Sequence, residues 1–268
     1  MECEQFFREL WADFCVIAPA AARIRASFEA RGEHVRNDHV AFRTFNLAPM
    51  RLADLEPFLL HLGYERFAPY RFEQKRLQAV GYVHPDRTLP RVFLSELMVE
   101  EFSEPLQAIV RGLVSQVDPQ RLRSPSLFWA GRLWGAVSLE DYELLARESE
   151  YAAWMAALGL HANHFTVSVN GLRQFPSVAS VLDFVQEQGF GINEAGGRVK
   201  GSPRELLEQG STLAERRPVE FAGGVQHEIP TCYYEFALRY PDASGNLYDG
   251  FVAASADKIF ESTDRRAT

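Results

Sequence analysis

Two short stretches, His39-Val-Ala-Phe-Arg-Thr-Phe45 and His164-Phe-Thr-Val-Ser-Val-Asn170, decide how this chain folds. Both are rich in β-branched and aromatic residues and alternate in polarity, the pattern of a strand with two unlike faces. In the first, His39, Ala41, Arg43 and Phe45 share one face and Val40, Phe42 and Thr44 the other. In the second, His164, Thr166, Ser168 and Asn170 lie opposite Phe165 and Val167. The segments after the two strands are also alike. A proline (Pro49, Pro176) precedes a helical pattern, through Leu52, Leu55, Leu59 and Leu60 over 51–62 in one case and Val181, Phe184 and Val185 in the other. A glycine closes each helix, 24 residues after His39 (Gly63) and 25 after His164 (Gly189). Strand-like segments come next, at about 64–71, 77–83 and 91–98 in the first copy and about 211–221, 232–240 and 247–253 in the second. The repeat predicts an α+β fold in which two βαβββ-like modules, about 37–98 and 163–253, form one curved, mostly antiparallel sheet. Residues 4–30 read as one amphipathic N-terminal helix. Helical patterns at 102–116 and 139–159, joined by an irregular stretch with Pro, Ser and Trp, form an insert over about 102–159.

The 268 residues are accordingly read as a single domain, 1–268, built from duplicated halves. With 47% hydrophobic and 24% charged residues the chain can bury a sizeable core. A net charge of −8 argues against nucleic acid as a partner, because a phosphate-backbone binder carries a basic surface. Cys3, Cys15 and Cys232 are far apart and form no CxxC pair, which speaks against a disulfide framework or a thiolate zinc site. The N-terminus MECEQFFRELWADF carries acids where a signal peptide carries bases, and no run of about 18 apolar residues occurs. A cytoplasmic protein without a membrane partner is expected.

Seven histidines remain as leads, and His39 and His164 stand out because each heads a strand on its polar face. In Cys232-Tyr-Tyr-Glu-Phe-Ala-Leu-Arg-Tyr240, Tyr234, Phe236 and Leu238 make an apolar face and leave Glu235 and Arg239 on the other. A carboxylate inside such a strand is costly to bury unless paired or metal-bound. If the modules pack side by side, His39, His164 and Glu235 meet in one concavity, and two imidazoles with one carboxylate suit non-haem iron(II). Simpler readings compete. Either histidine could be a hydrogen-bonded structural residue, and Arg239 could pair with Glu235. His161 could replace His164 as a ligand, and Glu96 occupies a place in module one resembling that of Glu235. His34, His61, His84 and His227 read as solvated. Arg43 stands about 13 Å from His39 along its strand at about 3.3 Å per residue, leaving room for a small dicarboxylate clamped at one end by the guanidinium fork. A salt bridge from Arg43 to a neighbouring acid fits the spacing equally well. Around Lys200-Gly-Ser-Pro-Arg-Glu205, Ser202, Pro203 and Glu205 form a capping box at a helix start, where Lys200 and exposed N–H groups could receive a substrate carboxylate. Gln209, Ser211 and Thr212 come next as possible hydrogen-bonding groups.

The motifs NDHVAFRTF (37–45), HANHFTVSVN (161–170), VKGSPRELLEQGSTLA (199–214) and CYYEFALRY (232–240) together resemble the 2-oxoadipate dioxygenase/decarboxylase family over about residues 37–253. That family looks like a relative of the vicinal-oxygen-chelate metalloenzymes, with paired βαβββ modules. The resemblance implies an Fe(II) centre held by His39, His164 and Glu235, other divalent metals being possible in isolated protein, and a substrate-carboxylate contact from Arg43. It also implies the reaction of 2-oxoadipate with O2 to give 2-hydroxyglutarate and CO2, in lysine breakdown. The chain is shorter than the characterised members. Rival readings are a zinc, manganese or nickel isomerase, lyase or hydrolase on the same scaffold, or a non-catalytic protein that binds a small acid.

Overall fold

The structure is a computed structural model, and it describes residues 1–252. In chain order it contains α1 (Cys3–Ile17), α2 (Pro19–Ala30), β1 (Asn37–Phe45), α3 (Leu52–His61), β2 (Glu65–Phe72), β3 (Leu77–Val83) and β4 (Arg91–Leu97). Next come α4 (Glu104–Val114), α5 (Leu139–Glu148), α6 (Glu150–Leu158), β5 (Ala162–Ser168) and α7 (Val178–Glu187). The final elements are β6 (Lys200–Ser202), β7 (Leu207–Ser211), β8 (Arg216–Phe221), β9 (Val225–Pro230) and β10 (Tyr233–Arg239).

Eight strands form one sheet in the order β2-β3-β4-β1-β5-β10-β7-β6. The order is a mirror image about its centre: β2-β3-β4-β1 on one side is matched by β6-β7-β10-β5 on the other. Pairings correspond too, since β1 with β4 and β5 with β10 are parallel and the remaining pairs are antiparallel. The fold is thus α+β, two βαβββ modules joined through β1 and β5 into a mostly antiparallel sheet. The short β8–β9 hairpin, a separate two-stranded sheet, is inserted between the third and fourth strands of the second module.

Several boundaries differ from the expectations drawn from pattern. The helix expected over 4–30 is two, because Pro19 cannot donate a helical hydrogen bond and instead opens α2. The pattern over 139–159 is also two helices. Ser149 leaves helical geometry there, its N–H closing α5 on Leu145 and its hydroxyl capping α6 at Ala152. The strand expected at 211–221 is divided between β7, which begins at Leu207, and β8, whose turn at Gly223-Gly224 was the overlooked hairpin signal. No strand occurs at 247–252, where Leu247 makes one isolated bridge to Pro241, and residue 253 lies outside the described residues. Among the described residues no helix is long and apolar enough to cross a membrane.

One face of the sheet packs against helices. Phe165 meets Trp11 and Phe14 of α1, and Phe28 of α2 meets Phe184 of α7 and Phe236 of β10. Val40, Phe42, Tyr234 and Phe236, the apolar halves of alternating strands, are all buried there. α1, α2 and α7 leave the opposite face to the polar halves, where α6 packs against Arg43. At β7, α7 approaches so closely that a Cβ built on Gly210 would lie 2.7 Å from Leu182 Cδ1 and 3.0 Å from Val178 Cγ1. Gly210→Ala is therefore expected to cost about 1–3 kcal/mol by overpacking. Urea denaturation checks this, and a change below about 0.5 kcal/mol, the scale of a neutral surface substitution, would show that the helix yields.

Candidate metal centre

The centre is built across β1, β5 and β10. In the β1–β5 ladder His39 is opposite Thr166 and Ala41 is opposite His164, so the two histidines are diagonal neighbours on one face. In the β5–β10 ladder Glu235 is opposite Thr166. Thr166 is thus flanked by His39 and Glu235, and its hydroxyl lies 3.0 Å from His39 Nε2. Glu235 Oε1 is 3.4 Å from His39 Nε2, and Oε2 is 3.5 Å from His164 Nε2. One ligand atom from each of the three lies within 4.8 Å of the others, and all three residues are buried.

What aims the rings is a pair of β-bulges. The β1–β5 register slips by one residue between Asn37 and His39, and again on the β5 side between Ala162 and His164. The extra residues are Asp38 and Asn163, each immediately before a histidine. A bulge re-aims the side chain it displaces. Asp38 Oδ2 lies 2.8 Å from His39 Nδ1, and the side-chain amide of Asn163 lies 3.0 Å from His164 Nδ1. With Nδ1 engaged from behind, each ring presents Nε2 towards Glu235. Asp38 is fixed in turn by Arg239, whose Nε donates to Oδ1 at 2.8 Å and whose Nη2 donates to Oδ2 at 2.9 Å. Burial alone would raise the Asp38 carboxyl, but Arg239 and His39 hold it well below the usual carboxylate range.

The charges suit a cation. Burial pushes Glu235 up to about 8, opposed by the Gln209 amide that donates to Oε1 at 2.6 Å. Glu235 Oε2, although buried, accepts no hydrogen bond among the described residues. Burial also lowers both histidines, against the pull of Asp38 on His39, and with His39 and Arg43 adding to the effect on His164. Two neutral imidazoles and a carboxylate oxygen with no donor form a set that fits a divalent transition metal. These three residues could hold one.

Other candidates divide. Arg43 is buried on the same face, its guanidinium 5.0 Å from the ring centres of both Tyr151 and Trp154 of α6. Gln209 reaches Glu235, and Ser211, fully buried, is opposite Glu235 in the β7–β10 ladder. Lys200 is buried with Nζ donating to the Asn193 carbonyl at 2.6 Å. Ser202 starts a three-residue turn and no longer helix, ended by Leu206 in the left-handed region at φ 63°. Its hydroxyl serves that turn, donating to Glu205 Oε2 at 2.7 Å. Glu96 is on the other face of the sheet, where it accepts from the Leu52 N–H at the start of α3. The place in module one equivalent to Glu235 belongs to Phe93, opposite Ala41. His161 lies 2.7 Å from Asp13 of α1, and Arg239 is engaged with Asp38 and not with Glu235.

Sequence reasoning passed over Asp38, Asn163, Tyr233 and Phe251. The recurrence of a polar residue before each histidine, Asp-His and Asn-His, was a visible signal. Tyr233 shares the face of Glu235 by strand alternation and stacks on His164 at 4.7 Å. Phe251 had no such signal. Residues 248–251, expected as strand, instead lie over the site: Arg239 Nη1 donates to the Tyr248 and Gly250 carbonyls, both at 2.7 Å, and the Phe251 ring meets His39 at 4.9 Å.

The fold is shared with a Ralstonia eutropha protein provisionally described as a member of the glyoxalase superfamily, which superposes with a TM-score of 0.78 at 25% identity, covering 93% of this chain and 85% of that one. The chain belongs to the 2-oxoadipate dioxygenase/decarboxylase family, whose model matches residues 16–243. It is 35% identical over 255 residues to the 2-oxoadipate dioxygenase/decarboxylase of Oryza sativa, covering 87% of this chain and 70% of that one. The crystal structure of hydroxyglutarate synthase from Oryza sativa in complex with 2-oxoadipate superposes with a TM-score of 0.90 at 32% identity, covering 99% of this chain and 94% of that one. A Shewanella frigidimarina protein, provisionally described as a hydrolase, superposes with a TM-score of 0.89 at 46% identity, covering 94% and 98%.

The raised Glu235 carboxyl predicts a pH signature in metal-free protein. A buried acid that binds its proton more tightly when folded costs stability as pH rises from its unfolded value near 4.5 through its folded value of about 8. In chelator-treated samples Glu235→Gln should become steadily more stable relative to wild type between those limits. A difference in melting temperature that stays constant with pH would contradict this.

Proposed function

We propose that the protein is an iron(II)-dependent dioxygenase and decarboxylase acting on a 2-oxo dicarboxylic acid, 2-oxoadipate or a close homologue. The observation that carries the proposal is the buried His39, His164 and Glu235 cluster with its uncompensated carboxylate oxygen. Family membership supplies the reaction class: 2-oxoadipate and O2 give 2-hydroxyglutarate and CO2. In that balance one oxygen atom completes the new carboxylate and the other forms the hydroxyl.

His39, His164 and Glu235 would hold the metal, which when bound supplies dioxygen activation and a chelation point for the 2-oxo acid. The remaining work falls to the chain. Asp38 and Asn163 keep the imidazoles oriented, and Gln209 keeps the Glu235 carboxylate in place. Arg43 would take the distal carboxylate in a two-pronged contact. Lys200, which opens β6, and Ser211, which ends β7, would line the same pocket; Ser202, engaged in its turn, would act through the position of Lys200. Tyr151, Trp154 and Phe251 supply apolar surface that excludes water, which strengthens each of these charge contacts.

Protein loaded anaerobically with iron(II) and then given 2-oxoadipate and air should consume O2 in step with release of CO2 and 2-hydroxyglutarate. His164→Ala should abolish this. Absence of substrate-dependent uptake would sink the proposal, and turnover that persists under argon would favour a hydrolase or lyase instead. The residues behind the ligands can be tested separately. Asn163→Ala leaves no buried charge behind and should weaken iron(II) affinity by about 10–100-fold in chelator competition, with little change in melting temperature.

A further inference from the structure

Tyr233 has a buried hydroxyl with no evident use within the protein. The residue is 1% exposed, and its oxygen has no hydrogen-bond partner among the described residues. Buried hydroxyls are nearly always bonded, because taking one out of water without a partner is unfavourable. The location points to what the missing partner is. Tyr233 precedes Glu235 by two residues and so shares its face of β10, and its ring lies against His164 with the planes 25° apart. Glu235 and Arg43 are both close enough to act on it electrostatically. The phenol therefore lies on the face of the sheet that carries the metal cluster and Arg43, with its ring against His164.

Tyr234 provides an internal comparison. Its hydroxyl is likewise buried and without a partner among the described residues, but it is on the opposite face of the strand, packed against Trp11 of α1 and Phe236. One orphaned hydroxyl faces the helices and the other faces the site.

We propose that Tyr233 is a substrate-binding residue, donating its hydroxyl hydrogen to an anionic oxygen of the 2-oxo acid held between the His39, His164 and Glu235 cluster and Arg43. This rests on the function proposed above. The ring has a separate role, since stacking on His164 restricts the imidazole. Tyr233→Phe keeps the ring and removes only the hydroxyl, so it separates the two. A residue required only for structure should lose stability when changed, whereas a group that is unsatisfied until substrate arrives should not.

The test is anaerobic titration of iron(II)-loaded wild type, Tyr233→Phe and Tyr234→Phe with 2-oxoadipate, monitored by calorimetry, with melting temperatures of the same ligand-free samples. Tyr233→Phe should raise Kd about tenfold or more while melting at or above the wild-type temperature, and Tyr234→Phe should leave Kd unchanged. A Kd change below about threefold, smaller than a lost hydrogen bond gives, would overturn the inference and leave the proposed function standing. A lowered melting temperature confined to Tyr233→Phe would overturn it too, assigning the hydroxyl to the fold. Wild type that fails to bind 2-oxoadipate would overturn the proposed function, and this inference with it.

Discussion

A carboxylate taken completely out of water must find compensating charge or take up a proton, and Glu235 is in that position at the centre of the sheet. Its strand neighbours offer little relief: one donor from Gln209 on one oxygen, and two imidazole nitrogens at hydrogen-bonding range or slightly beyond. The guanidinium of Arg239, on the same strand, is engaged with Asp38 instead. The surrounding architecture brings these three residues together in an arrangement that could hold a cation.

The duplicated module does this economically. Two copies of one strand, placed antiparallel, bring a histidine from each to the same face, and a bulge before each histidine turns the preceding residue back onto it. The copies then diverge. Asp38 is ionised and tied through Arg239 to the chain at 248–250, whereas Asn163 is uncharged. The third residue of the cluster breaks the symmetry outright, with Glu235 matched in the first module by Phe93, which packs against Phe251. One half of the sheet thus supplies the carboxylate and the other supplies apolar cover.

That cover has chemical meaning. Electrostatic contacts with a small acid strengthen as water is excluded, and Arg43 lies against the rings of Tyr151 and Trp154 while Phe251 closes the side next to His39. Since α6 comes from the segment between the modules and Phe251 from beyond the last strand, neither belongs to the repeat. The repeat makes the donor set, and its additions make the enclosure.

Alternation in three strands was enough to place His39, His164, Glu235 and Arg43 on polar faces, because side-chain direction in a strand depends only on parity. The same pattern read twice predicted the two βαβββ modules. Parity could not decide which polar faces coincide, and so Glu96 and Arg239 remained competitors for roles that the register then denied them. Nor could it show a bulge, where one residue of slippage changes parity, or a closing segment held by its backbone carbonyls. The amino-acid sequence by itself determined the strands, their faces and the residues able to carry charge into the interior. Only the tertiary structure decided which of those residues share one buried space, because that depends on register and long-range packing rather than on any residue's neighbours in the chain.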